Sequence, residues 1–446
     1  MVDRVEVFAV CLLLFVPIAP TLGPGQAAVE QRLPNDAPDA CIAPPARPHN
    51  PNSAEIIGTV THDNENITIE YTALDNSTRL DLHVRLPFGT EPVATKGFET
   101  GTLISDLHWN PGSKTHSITY NVSAIEDHTL TLRYPADTDW VLAGVPTHRG
   151  AAVHLRPEGS GYIGRNTLYL GDYSRHEVQS GCQTIVAIVP TAAERTAVQD
   201  RLTELQAASR ALPVGRQYRT IRVFVSPTQL GDFRGFTPHR ENEIVVVDHS
   251  VLKQSSVLWI HEYVHTVQGF QADRDARWIY EASATYLSLR IAVEEGFIPP
   301  RSYDYLLNRG ARTFETNLTA ATTEPVAYQR GAIVLAILDS ELDGSGDSSV
   351  IDLLTYLNKR SNPGTDDLIR WLRDETEMNA ATVRDTGRLI ERDTVVQPPL
   401  ILSSAKSNSS LLLVLHFGAL WEVRLLFGVL GFLVLTGLLF DDFRRR

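Results

Sequence analysis

His261 and His265 stand four residues apart inside an apolar-periodic run (Val257, Leu258, Ile260, Val264, Val267). That spacing demands a helix, because residues at i and i+4 share one helical face, and there two imidazoles can point at one ion. Glu262 follows His261 directly and is turned about 100° around the helix. It stands beside the ion without ligating, where a carboxylate can serve as general base. Zn²⁺ suits such a pair, since it accepts imidazole nitrogen and keeps a fourth position for water in catalytic sites.

The third ligand has to return from a second helix. Residues 277–286 read as that helix, and Glu281 lies 16 residues after His265. A helix end at Gly269 and a loop at 273–275 bring Glu281 back over the imidazoles. Trp278, Ile279, Ala282, Tyr286 and Leu289 make its surroundings apolar, and a carboxylate among them needs a partner. The competing reading of Glu281 is a solvated helix residue. The expectation is one Zn²⁺ per chain, held by His261, His265 and Glu281.

Around this hairpin the hydrophobic period changes twice. Over 54–188 it is two: 67–71, 80–86, 117–122 and 129–132 alternate apolar and polar residues, with breaks at Asn110-Pro111-Gly112 and Pro135-Ala136-Asp137. Short strands at this spacing predict an antiparallel β-sandwich or saddle. After Pro190 an amphipathic helix (192–208) and two strand-like runs (221–225, 243–247) precede the hairpin, and 250–394 reads almost entirely as helix. The expected fold is therefore α+β and multidomain. A β-rich domain covers 54–188, and a catalytic domain with a mostly helical C-terminal part covers 189–395.

Two apolar segments bracket these domains. Residues 7–18 form a 12-residue run followed by Gly23, Gly25, Ala27 and Ala28. That is the length of a signal-peptide core and too short for a membrane span, so 1–27 reads as a signal peptide and the Pro- and Ala-rich 28–53 as a linker. Residues 425–440 hold 16 positions without charge, and Trp421, Val423 and Phe443 extend them. The roughly 20 residues needed to cross a bilayer are then met, which predicts a single transmembrane helix over 421–443, tethered by 396–420. The arginines at 444–446 place the tail in the cytoplasm, and everything between the two segments outside the cell. The expected location is the cell membrane, single-pass, with the catalytic domain extracellular. Asn66, Asn76, Asn121, Asn317 and Asn408 begin Asn-x-Ser/Thr triplets, which permit glycosylation in that setting. With Cys11 removed, Cys41 and Cys182 remain, either as a disulfide or as two free thiols. A net charge of -13 argues against a nucleic-acid partner. The partners expected are a peptide or protein substrate and the membrane.

His261-Glu262-x-x-His265 followed by Trp278-x-x-Glu281-Ala282 resembles the gluzincin metallopeptidases, and within them the aminopeptidase-like group that includes the glycyl aminopeptidases. Tyr328-Gln329-Arg330-Gly331 is similar to that group's Tyr-x-Lys-Gly stretch. The resemblance implies a thermolysin-like catalytic domain that hydrolyses peptide bonds by metal-activated water, with Glu262 as general base. It also implies that Tyr328 donates a hydrogen bond to the oxyanion of the tetrahedral intermediate. Arg330 replaces the family's Lys and is read as structural. His239 and His249 are read as loop or cap residues.

Two departures bear on specificity. The interval from His265 to Glu281 is shorter than in typical aminopeptidases. No Gly-x-Met-Glu-Asn-like segment, which in the family holds the substrate's amino group, precedes the zinc helix. Residues 241–248 stand in its place, as an edge strand able to pair with an extended peptide. Glu241 or Glu243 could bind the amine instead, and strand alternation puts both on one face, so neither is preferred. If neither reaches the cleft, internal bonds are cleaved, and the reading leans that way. The alternative for the whole chain is a catalytically inactive surface module that keeps the peptidase fold and binds a partner. An intact set of His261, Glu262, His265, Glu281 and Tyr328 speaks against that.

Overall fold

The structure is a computed structural model. It describes Cys41 and residues 54–391, except 75–79, 88–89, 102–105, 123–133, 194–196, 215–216, 229, 231–233, 239–240, 249–255, 312–316, 320–325 and 346–347. The chain divides into units 1–39 and 40–446, of which the first lies outside the described residues. The expected signal peptide, tether, transmembrane segment and tail also lie outside them.

Alternation of apolar and polar residues builds the N-terminal strands: β1 (Glu55–Asp63), β2 (Asn66–Ala73), β3 (His83–Arg85), β4 (Glu91–Lys96), β5 (Phe98–Thr100) and β6 (Asp106–Trp109). They continue with β7 (His116–Asn121), β8 (Val141–Gly144), β9 (Thr147–Arg149), β10 (Ala152–Pro157), β11 (Gly161–Ile163) and β12 (Thr167–Leu170). A five-stranded sheet, β10-β1-β2-β7-β4, and a four-stranded sheet, β5-β6-β3-β9, share one core. Ile56, Ile67, Ile69, Ile118 and Tyr120 of the first pack with Val84, Phe98 and Leu107 of the second. Among the described strands, the sandwich departs from pure antiparallel pairing where β1 runs parallel to β10. A third sheet, β11-β12-β8, forms the bridge to the rest of the chain.

The next sheet holds β13 (Tyr173–Ser180), β14 (Gln183–Pro190), β15 (Thr220–Ser226), β16 (Gly235–Phe236) and β17 (Glu243–Val247), in the order β13-β14-β15-β17-β16. It therefore reaches back to Tyr173, across the boundary expected between 188 and 189. The reason is that β13 and β14 form a hairpin whose second strand pairs parallel to β15. The inner strands β14, β15 and β17 run parallel and are covered on both faces, which is why they read as unbroken apolar runs. On one face Ile185, Val223 and Ile244 meet α1 (Val198–Ala211) and α2 (Ser256–Val267). On the other, Val186, Phe224 and Val245 meet Trp140, Leu142 and Tyr169 of the bridging sheet and its approach.

Helices make up the remainder: α3 (Arg277–Glu294), α4 (Pro300–Ala311), α5 (Gly331–Ser345), α6 (Val350–Asn358), α7 (Thr365–Asp374) and α8 (Ala380–Glu391). Gly296 has φ +75°, the left-handed geometry that stops a helix and favours glycine, directly after α3. Before α7, Gly364 N–H donates to Asp367 Oδ2 at 3.0 Å, so the turn at 362–364 is also the cap.

Cys41 and Cys182 form a disulfide, with Cα atoms 5.6 Å apart across 141 residues of sequence. Closing a loop of that length removes about 5 kcal/mol of unfolded-chain entropy. The bond fastens Cys41 to the β13–β14 turn.

The expected fold class is corrected on one point, the single C-terminal transmembrane helix. No helix among the described residues is long and apolar enough to cross a membrane. Even α3, with 18 residues, carries Arg277, Glu281, Arg290 and Glu294 along its length. A bilayer-spanning helix needs roughly 20 predominantly apolar positions.

Candidate metal centre

Helix α2 is oriented by its apolar side. Trp259, Ile260, Tyr263, Val264 and Val267 are buried in the main core, while His261 and His265 meet α3. The Tyr263 hydroxyl donates to Gln183 Oε1 at 2.7 Å, and Ser209 donates to the same oxygen at 2.7 Å. This polar knot ties α2 to β14 and α1. Each of its large aromatics buries roughly 150–250 Å², which at about 25 cal/mol/Å² is about 4–6 kcal/mol of gross stabilisation.

Three side-chain atoms converge in front of the helix. His261 Nε2 and His265 Nε2 are 3.2 Å apart, and Glu281 Oε2 lies 3.5 Å from the first and 3.3 Å from the second. They form the one group of three or more potential metal ligands among the described residues. A tetrahedral zinc with ligand bonds of about 2.0–2.1 Å separates its ligands by about 3.3–3.4 Å. The observed triangle has those edges. Glu281 Oε2 is also buried without a hydrogen-bond donor meeting it in good geometry. The donor set and its spacing thus fit zinc.

Burial alone would raise the Glu281 pKa, but the charges of His265 and His261 close beside it outweigh that and hold the carboxyl well below its usual range. For His265, burial works downward, and Glu281 and Glu262 overcome it to lift the imidazole to about 9. Glu262 goes the other way. Its burial raises its pKa, against the opposing pull of His261, His265 and the Thr237 hydroxyl.

Glu262 faces β16. The Thr237 hydroxyl, just past that strand, lies 2.8 Å from Glu262 Oε2 and 2.9 Å from its carbonyl oxygen. A Cβ on Gly235 would stand 2.8 Å from Glu262 Oε1, closer than real contacts allow, so glycine is what lets β16 approach the carboxylate. Tyr328 comes from a π-helical turn, Val326–Arg330, that opens α5. Its ring stacks beside His261 at a centroid distance of 5.5 Å. The next turn is held against α3 by Gly331, whose place leaves no room for a Cβ beside Ala282 and Trp278.

The structure does not bring every expected residue to this place. Strand β17 is not an edge: it lies between β15 and β16, and all five of its residues are buried. Glu243 is fully buried, and its carboxylate accepts from the backbone N–H groups of Arg165, Asn166 and Thr167. Glu241 pairs with Arg165 Nε at 3.3 Å. Both carboxylates are thereby engaged with the 164–167 turn of the β domain. The edge beside the site is β16 instead. Arg330 is buried, and its guanidinium donates to Leu389 O at 3.2 Å, a structural role. His239 and His249 lie outside the described residues.

Sequence reasoning missed Thr237 and Gly235. A strand of two residues has no period to detect, and neither residue belongs to a motif, so the sequence carries no signal for them.

A mixed five-stranded sheet, a His-Glu-x-x-His helix laid against it, a glutamate-bearing partner helix and a β-sandwich make up a fold shared with solved zinc metallopeptidases. Among solved structures the chain resembles an M1 zinc metallopeptidase from Deinococcus radiodurans, at 14% identity and a TM-score of 0.51 over 78% of this chain and 96% of that one. It also resembles an aminopeptidase N family protein from Idiomarina loihiensis, at 12% identity and a TM-score of 0.53 over 77% and 76% of the two chains. At these identities the likeness is one of fold. No family profile matches the chain, and no curated protein matches it by sequence.

Proposed function

We propose that the chain is a zinc metallopeptidase that carries one Zn²⁺ on His261, His265 and Glu281 and cleaves internal peptide bonds. The observation that carries this reading is the ligand triangle, with edges of 3.2, 3.3 and 3.5 Å, beside the buried Glu262. Zinc in such a site supplies Lewis acidity and lowers the pKa of water. Glu262 takes the proton of the attacking water and returns it to the leaving amine. Thr237 holds the Glu262 carboxylate in place for that transfer. Tyr328, beside His261, donates to the oxygen that becomes negative as the carbonyl turns tetrahedral. The outer edge of β16 offers main-chain groups along which an extended peptide can lie.

Peptides as substrates agree with the fold's relatives, since one Deinococcus radiodurans enzyme has been solved with a Tyr-Ser-Ala substrate. Internal cleavage is favoured because Glu241 and Glu243 are engaged elsewhere. A location outside the cytoplasm belongs to the same proposal, and the disulfide supports it, because such bonds persist in oxidising compartments.

The deciding experiment digests a peptide library with the purified chain, with and without a chelator, and measures bound metal. Chelator-sensitive cleavage inside the peptides is expected. Stoichiometric zinc without any hydrolysis would instead favour the inactive binding module.

A further inference from the structure

We infer that Gln268 is a positioning residue whose single carboxamide sets the imidazole of His265 for zinc and locks the glutamate helix to it. The inference rests on the zinc reading above and names how this chain builds that site.

Gln268 lies just beyond the end of α2 and is 1% exposed. Its Oε1 is 2.6 Å from His265 Nδ1. Its Nε2 donates to Tyr280 O at 2.8 Å and to Ser283 Oγ at 2.8 Å. The direction of these bonds follows from chemistry. The Tyr280 carbonyl only accepts, so the group facing it is the amide nitrogen. The Ser283 hydroxyl already donates to Ile279 O at 2.7 Å, so it too accepts from Gln268. The amide oxygen is then turned to His265, and Nδ1 carries a proton. In the neutral ring that leaves the Nε2 lone pair free, on the side where His261 Nε2 and Glu281 Oε2 stand.

The same side chain acts on the third ligand. Tyr280 and Ser283 flank Glu281 on α3, so the two bonds from Nε2 fix the stretch of helix that presents it. Tyr280 also stacks over His265, with centroids 4.5 Å apart and planes 17° from parallel, which restricts the ring from flipping. A carboxamide does this without adding charge beside Glu262 and Glu281. A carboxylate at 268 would meet the Tyr280 carbonyl with nothing to donate. Partners that orient a metal-binding histidine in this way are typically worth 10–100-fold in metal affinity.

The test compares zinc affinity in wild type and Gln268→Met, which keeps length and burial but loses all three bonds. Zinc Kd is measured by competition with a chelating dye, and the melting of the zinc-free proteins reports the fold. The expected result is a Kd weakened about 10–100-fold in a variant that still melts cooperatively. If the variant does not fold, the wild type decides. A ¹⁵N-imidazole spectrum of the cadmium-substituted protein should show His265 bound to metal through Nε2, with a slowly exchanging proton on Nδ1. A Kd within twofold of wild type in the folded variant, or metal on Nδ1, overturns the inference while the zinc reading stands. A wild type that binds no zinc overturns the zinc reading itself, and the inference with it.

Discussion

The hydroxyl of Thr237 lies 2.8 Å from Glu262 Oε2 and 2.9 Å from the carbonyl oxygen of the same residue. One proton is shared between two acceptors, so the side chain and the backbone of Glu262 are held relative to each other. Glu262 is buried and its pKa is raised by desolvation, a cost that a hydrogen bond to the ionised form offsets. Thr237, just past β16, thus steadies the carboxylate that α2 supplies.

Thr237→Val keeps the shape and removes that bond. A hydrogen bond to a charged group is worth about 1.5–3 kcal/mol, so kcat should fall on the order of 10–100-fold. Steady-state kinetics on one chromogenic peptide, with zinc content measured beside it, checks this. An unchanged kcat would take Thr237 out of the mechanism.

Glu262→Gln retains volume and loses the base. Turnover should drop by about 10²–10⁴, while one zinc per chain remains. Equal loss of zinc and of activity would point to a ligand role for Glu262 rather than proton transfer.

Removing zinc should lower both activity and melting temperature, and adding it back should restore them. With zinc at 100 times its Kd, binding stabilises the folded chain by about 2.7 kcal/mol. His265→Ala and Glu281→Ala should lose zinc, as read by elemental analysis. A variant that keeps a full equivalent contradicts the ligand set.

Tyr328→Phe deletes the hydroxyl proposed as oxyanion donor and leaves the ring stacked on His261. The expected loss is about 10²–10³ in kcat with KM little changed. Phosphonamidate-type inhibitors, which mimic the tetrahedral state, should weaken in parallel. If they bind the variant as tightly as wild type, the phenol is not the donor.

A peptide and its N-acetylated twin should be cut at similar rates, because Glu241 and Glu243 are held by the 164–167 turn. Glu243→Gln should act on stability instead. Its new amide cannot accept from all three backbone N–H groups, and leaving one buried donor unpaired costs about 1–3 kcal/mol. Thermal melts and the acetylation ratio, measured on the same variant, separate the two roles. An activity that depends on a free amine and disappears with Glu243→Gln would restore that residue as the anchor.

The grouping of His261, His265 and Glu281 was the most legible part of this chain. His261 and His265 are placed by helical period, and Glu281 by the length of the loop between two helices, both of which are local properties. The β-rich first half and helical second half were legible for the same reason: periods of two and 3.6 are written in neighbouring residues. The run Glu243–Val247 was readable as a strand but not as an inner one. Burial on both faces depends on what β15 and β16 pair with, and pairing joins residues far apart in sequence.

By itself, then, the sequence determined the chemistry that can meet at the site: two imidazoles and a base on one helix, a carboxylate on the next, a tyrosine before a third. Only the tertiary structure decided that Glu243 serves the β domain, that Thr237 and Gly235 border Glu262, and that Gln268 joins His265 to the helix of Glu281. Each of these depends on contacts between segments whose meeting is settled by packing the sheet against α2 and α3. A hydrogen bond reaches only about 3 Å, so no spacing along the chain foretells it until the core has closed.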